Sequence, residues 1–324
     1  MNHTIQNEHL TVTAAARGAE LQSILGADGT EYLWQGDPRY WSDRALNIFP
    51  CVARLTNGSY YLDGQLYHMD IHGIAPYRDF RLAENTGERM TLELAADEET
   101  LQSYPRRFVF RVTYALQGGT LAVTYEVENR DERTMYFGLG GHPGFRVPLA
   151  EGASFEDYRL RFSSPCEPKR VGFTDACFLD GTETLFPLEN GRDIPLRHEL
   201  FDRDAIVLRD MDRALTLETG RDIPLRHELF DRDAIVLRDM DRALTLETGR
   251  DGRGVTVSFP GMDYVGIWHK PKTDAPYVCI EPWCSLPAVQ DVVTVMEERR
   301  DYLRLEAGGV YRNQWTIEIH SRAQ

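Results

Sequence analysis

The 324-residue chain contains no apolar run approaching the roughly 18 residues that a membrane-spanning helix requires. It also lacks a basic excess. Against 51 acidic residues stand 36 Lys and Arg, a formal net charge of −15. Such a balance argues against non-specific binding to nucleic acid or to anionic membranes, both of which need clustered cations. Cysteine is scarce: five residues are scattered at 51, 166, 177, 279 and 284. An odd, dispersed set suits a reducing cytosol better than a disulfide framework. The opening MNHTIQNEHL has neither the basic start nor the apolar stretch of a signal peptide. There is no Pro- or Ser-rich linker, so one large domain over 1–324 is expected. A hydrophobic content of 42% with 10% aromatics excludes disorder. The expectation is a soluble cytoplasmic protein.

The common chemical signatures are missing too. No GxGxxG follows a strand and no GxxxxGK occurs, which leaves dinucleotide and P-loop functions without support. Gly-x-Ser-x-Gly is absent. His198-Glu199 and its copy His227-Glu228 have no second histidine four positions on, so they are not a metalloprotease helix. Cys279 and Cys284 flank an acid without zinc-ligand spacing, and a small core role fits them better. No metal or organic cofactor is implied.

What the sequence does contain is an exact internal repeat. Residues 191–219 and 220–248 both read GRDIPLRHELFDRDAIVLRDMDRALTLET. Solenoid copies diverge and usually number three or more, so two perfect copies point to a tandem duplication rather than a repeat architecture. Removing one copy leaves 295 residues. Within the unit, Ala205–Leu208 and Ala214–Leu217 flank a polar turn and suggest a hairpin. One slot is available to it: copy one, copy two, or the start of one with the end of the other can fill it.

Elsewhere the chain reads as strands. Phe108, Phe110, Val112, Tyr114 and Leu116 share one face of a first strand. After Gly118-Gly119, Leu121, Val123, Tyr125 and Val127 share one face of a second, making a hairpin with matched apolar faces. Further strands are predicted at Leu10–Thr13, Tyr60–His68, Met90–Leu94, Tyr158–Phe162, Val255–Phe259, Tyr277–Glu281 and Trp315–His320. The spacing of turn residues predicts an all-β protein, a sandwich or barrel. Helical periodicity is weak; Val289–Tyr302 is the best candidate helix.

Four segments place ionisable groups among Gly, Pro and aromatics. They are Ile71-His72-Gly73, Gly140-Gly141-His142-Pro143-Gly144-Phe145, Cys279-Ile280-Glu281-Pro282-Trp283, and the apolar run from Phe49 that ends at Arg54. Each alone has a plain structural reading: a hydrogen-bonded turn histidine, or a strand-end carboxylate paired with a base such as Arg54. His269, between Trp268 and Lys270, and the terminal His3, His9 and His320 are left in that class.

Taken together, with Gly18-Ala19-Glu20-Leu21, Tyr32-Leu33-Trp34, Asn47-Ile48-Phe49-Pro50 and Tyr104-Pro105, these segments give the chain a resemblance. In order and spacing it resembles the aldose 1-epimerase (mutarotase) family, specifically the bacterial galactose-mutarotase-like branch. The resemblance implies a large antiparallel β-sandwich with few short helices. It also implies an isomerase that interconverts the α and β anomers of an aldose without a cofactor. Such a reaction removes the proton of the C1 hydroxyl while protonating the ring oxygen, a task for a paired base and acid. By resemblance Glu281 is the base, His142 the acid and His72 a second imidazole near the ring oxygen or C1 hydroxyl. Arg54 would bind sugar hydroxyls and keep nearby carboxylates ionised. A hydroxyl-binding aspartate matches Asp204 and, because of the repeat, Asp233 equally. Relatives that accept hexose 6-phosphates carry an arginine four residues after the first histidine; here that position is Pro76, with Arg78 two further on. A neutral aldose such as glucose or galactose is therefore the expected partner, with no nucleic acid or membrane, and monomer and homodimer both open. The competing expectations are a hexose 6-phosphate epimerase, a sugar-binding protein without turnover, and a chain disabled by its duplication.

Overall fold

The computed structural model describes residues 1–174, 176–201, 206–209 and 242–321. Among them the chain is built from strands, with one short α-helix at Glu98–Ser103 and a few 3₁₀ turns. Two large antiparallel sheets dominate. A nine-stranded sheet runs in the order Asp193–Pro195, Tyr158–Phe162, Ala243–Thr248, Gly254–Ser258, Val310–His320, Thr120–Asn129, Phe108–Gln117, Arg89–Ala95, Arg81–Asn85. A seven-stranded sheet runs Leu179–Leu185, Lys169–Phe173, Ile206–Arg209, Tyr264–Trp268, Tyr277–Trp283, Gly140–Arg146, Ala45–Ile48. Their apolar faces share a core, where Phe49 stacks on Phe110 at 4.9 Å between ring centroids. This is the large antiparallel β-sandwich that the strand pattern and the resemblance lead one to expect.

The long hairpin forms as its alternation requires. Leu121 lies opposite Leu116, Val123 opposite Tyr114, Tyr125 opposite Val112 and Val127 opposite Phe110, and all eight side chains are buried. Asn47, polar yet buried, is satisfied from four sides. Its amide donates to the Gly18 and Ala19 carbonyls and to the Tyr114 hydroxyl, and its carbonyl accepts from the Tyr125 hydroxyl. That network fixes the strand Ala45–Ile48 beside the site strands.

Three expectations are corrected. Val289–Tyr302 is not a helix: it gives a two-residue strand at Thr294–Val295 and a 3₁₀ turn at Met296–Glu298. Its buried positions are Thr294, Met296 and Tyr302, while Val289 and Val292 are exposed and Asp291 takes φ +60°. Tyr60–His68 is not one strand but a hairpin, Ser59–Leu62 with Gln65–His68. Asp63 and Gly64 both have positive φ at its tip, the chemistry of a two-residue turn that matches strand twist. The third correction concerns the repeat. Ile206–Arg209, from the first copy, sits in the seven-stranded sheet between Lys169–Phe173 and Tyr264–Trp268. Ala243–Thr248, the second copy's Ala-Leu-Thr-Leu-Glu-Thr, sits in the nine-stranded sheet between Tyr158–Phe162 and Gly254–Ser258. The unit is thus not a hairpin; its two strands belong to opposite sheets. The start of one copy and the end of the other fill the two places. Residues 210–242 connect them where a single copy would supply 210–213.

Candidate active site

The site forms where two neighbouring strands of the seven-stranded sheet carry the two motifs. Gly140–Arg146 pairs antiparallel with Tyr277–Trp283, Gly140 opposite Trp283 and Gly144 opposite Cys279, a register that sets position 142 against 281. His142 Nε2 lies 3.2 Å from Glu281 Oε2. Both side chains are buried, at 9% and 2% exposure, so the bond works in a medium of low dielectric where acid–base partners couple strongly.

Glycines clear the face on which this pair sits. A Cβ on Gly140 would lie 2.6 Å from the Trp283 ring, and one on Gly144 would lie 3.0 Å from Trp41. His142 is therefore flanked on its own strand by residues without side chains. On the opposite face, a Cβ on Gly141 would meet Trp315 at 2.6 Å, so that glycine lets the two sheets approach. The sequence Gly-Gly-His-Pro-Gly places one imidazole in a cleared space and packs the strand's back against the core.

His72 arrives from a loop. With φ +64° at His72 and +85° at Gly73, the chain folds tightly against Phe49; a Cβ on Gly73 would fall 2.2 Å from the Phe49 carbonyl oxygen. His72 N–H donates to Ala53 O at 3.0 Å, and the Ala53 N–H donates to His72 Nδ1 at 3.3 Å. An acceptor at Nδ1 assigns the proton of the neutral ring to Nε2. The ring stands edge-to-face against His142 with centroids 5.2 Å apart. Burial, with a smaller contribution from the Arg54 guanidinium, pulls the His72 pKa down to about 3. Burial and the neighbouring His72 likewise hold His142 well below the usual imidazole value.

Arg54 is exposed at the end of its apolar run, and its charge is felt at His72. Asp204 and Asp233 lie outside the described residues. The aromatic walls, by contrast, carried no signal in the sequence. Trp41 lies over His142 at 4.8 Å with the rings 31° apart, and Trp268 meets His142 edge-on at 5.6 Å. Trp34, Tyr277 and Cys279 pack behind them. No spacing rule joins a loop tryptophan at 41 to a strand histidine at 142; tertiary contact alone does so.

A His142 ring nitrogen, Cys279 Sγ and a Glu281 oxygen all lie within 4.8 Å of one another. The donor types would suit a soft cation, but burial and then the Glu281 charge hold the Cys279 thiol protonated, and two of the three donors already bond each other. The group is a carboxylate–imidazole pair with a core thiol behind it.

Known proteins share this frame. The family model for aldose 1-epimerase matches residues 1–293. The chromosomal protein LacX of Lactococcus lactis is 30% identical over 309 residues, covering 92% of this chain and 93% of that protein. The solved structure of a galactose mutarotase related enzyme from Lactobacillus acidophilus is 31% identical, with a TM-score of 0.87, and the match covers 100% of this chain and 99% of that one. A galactose mutarotase-like protein from Lactobacillus casei is 28% identical, with a TM-score of 0.84, covering 99% and 100%.

Proposed function

The chain belongs to the aldose 1-epimerase family, and we propose that it interconverts the α and β anomers of a free, neutral aldose by acid–base ring opening and closure. The observation that carries this reading is the buried Glu281–His142 pair at 3.2 Å, with the His72 ring beside it. In the proposed reaction the Glu281 carboxylate takes the C1 hydroxyl proton, and the electron pair of that O–H bond forms the C1 carbonyl. The bond from C1 to the ring oxygen breaks as His142, in its protonated form, delivers a proton to that oxygen. Rotation about C1–C2 presents the other carbonyl face, and closure returns both protons to their donors. The His72 Nε2–H is available to a sugar oxygen, and Arg54 with Asp204 or Asp233 would hold sugar hydroxyls.

A neutral substrate is favoured by what surrounds the alternative phosphate position. Pro76 is buried in a 3₁₀ turn, and the Arg78 guanidinium is paired with Asp97 and Glu99. Both of its ends are already committed to carboxylates.

The test is polarimetry on freshly dissolved α-glucose and α-galactose. The protein should speed equilibration, and Glu281→Gln should slow it by about 10²- to 10⁴-fold with the fold retained. Full activity in that variant would remove Glu281 from its role. Calorimetric binding of sugar by the unaltered protein with no acceleration of anomer exchange would instead favour a binding protein.

A further inference from the structure

We propose that Trp41 is a positioning residue for this reaction: its indole face holds the His142 imidazole in orientation and stabilises the charged form from which the acid's proton is given. The inference rests on the acid–base reading above and adds a residue to it.

A general acid of the histidine type works only as the imidazolium, yet His142 sits where a charge is costly. It is buried, and among the described residues the groups that face it are few. Glu281 bonds its Nε2, Cys279 is a neutral thiol on the same strand as Glu281, His72 is an imidazole held neutral, and Trp41 and Trp268 are rings. Arg54 acts on His72 from the exposed side. Of these, Glu281 loses its negative charge in the same ring opening in which His142 gives its proton. A π face does not titrate. An aromatic ring within about 6 Å of a cation is attracted through its quadrupole, most strongly when the ring is an indole, and Trp41 meets that geometry at 4.8 Å.

The loop that carries Trp41 is built to hold the ring there. Trp34 Nε1–H donates to the Trp41 carbonyl at 2.8 Å. Three and four residues on, Arg44 N–H and Ala45 N–H donate to Glu20 at 2.6 and 3.1 Å. The half-buried Asp43 carboxylate lies within electrostatic reach of the Trp41 side chain. Trp268 meets it edge-on at 5.6 Å. Gly144 leaves the room that the ring occupies. Trp268 stands farther from His142, at 5.6 Å and nearly perpendicular to it, whereas Trp41 lies at 4.8 Å with its ring tilted by 31°.

The decisive experiment installs a fluorinated tryptophan series at position 41, which drains the quadrupole stepwise while keeping shape and packing. With a sugar that the unaltered protein turns over, kcat should fall monotonically, by about 3- to 30-fold across the series, while KM changes less than about twofold. The high-pH limb of the kcat profile should move to lower pH, because losing support for the imidazolium lowers the pKa of the acid. Trp41→Phe should recover most of the rate lost in Trp41→Leu. A flat fluorination series, or a series that moves KM and leaves kcat and the limb in place, overturns the proposal. If the unaltered protein accelerates no anomer exchange, the acid–base reading itself has failed, an outcome distinct from a flat series in an active enzyme.

Discussion

Two strand pairs of nearly equal regularity differ in what their faces do. In the nine-stranded sheet, Phe108–Gln117 and Thr120–Asn129 bury one face, and the other is partly open to solvent. On the outer face a cross-strand ladder alternates in sign: Arg81, Glu93, Arg111, Glu126 and Arg312 bond in succession across five strands. In the seven-stranded sheet, Gly140–Arg146 and Tyr277–Trp283 are buried on both faces apart from Arg146. One face of this second pair, with Phe145, Val278 and Ile280, enters the shared core. The other gathers His142, Glu281, Cys279 and the tryptophans. The lesson is that a strand with ionisable groups on its second buried face has been given a task besides folding, because an unpaired charge there costs several kcal/mol.

The comparison can be broken in four ways, in descending size of effect. Glu281→Gln should cost about 10³-fold in anomer exchange, measured by polarimetry, whereas Arg111→Met on the opposite sheet should leave the rate unchanged. Acid should act through the site side. His72 and His269 are both pulled down to about 3, chiefly by burial, from an ordinary value of 6.5. The unfolded chain therefore binds more protons than the folded one between about 6.5 and about 3, and stability is lost as pH falls through that window. Each histidine should contribute about 2 kcal/mol of loss between pH 7 and 5, visible as a falling Tm, and His269→Gln should flatten the slope. Third, Gly141→Ala should destabilise by about 1–3 kcal/mol in urea denaturation, because the added methyl meets Trp315. Last, Arg111→Met should cost no more than about 1 kcal/mol. That loss should shrink in high salt, which the histidine contribution should not do. A salt-insensitive ladder, or a pH-insensitive melt, would erase the distinction between the two regions.

Much of this molecule could be read along the chain. Phe108 to Val127 announced a hairpin because period-two alternation is a local property that any half-exposed strand must satisfy. Gly-His-Pro-Gly-Phe and Ile-Glu-Pro-Trp stood out because glycines and a proline around an ionisable residue are odd neighbours for a solvated face. Other elements were legible in principle: Asp63-Gly64 is a two-residue turn signal inside what looked like one strand. Val289–Tyr302 misled because its apolar residues fit a helical stripe, although two of its valines remain outside. Trp41 could not have been found, since its role exists only in contact with His142.

The repeat separates the two kinds of information most clearly. The sequence alone determined that 29 residues occur twice and that each copy holds two strand-forming segments. It also set the strand periodicity, the turn residues and the motifs that bring the chain into its family, all of which are matters of local steric and polar preference. Tertiary structure decided that those two segments belong to opposite sheets, and so that one copy contributes the first and the other the second. It likewise decided that positions 142 and 281 meet in register and that a loop tryptophan lies against His142. These are choices made by pairing and packing across long separations, where identical local sequences have identical local preferences and only the place left open in each sheet can tell them apart.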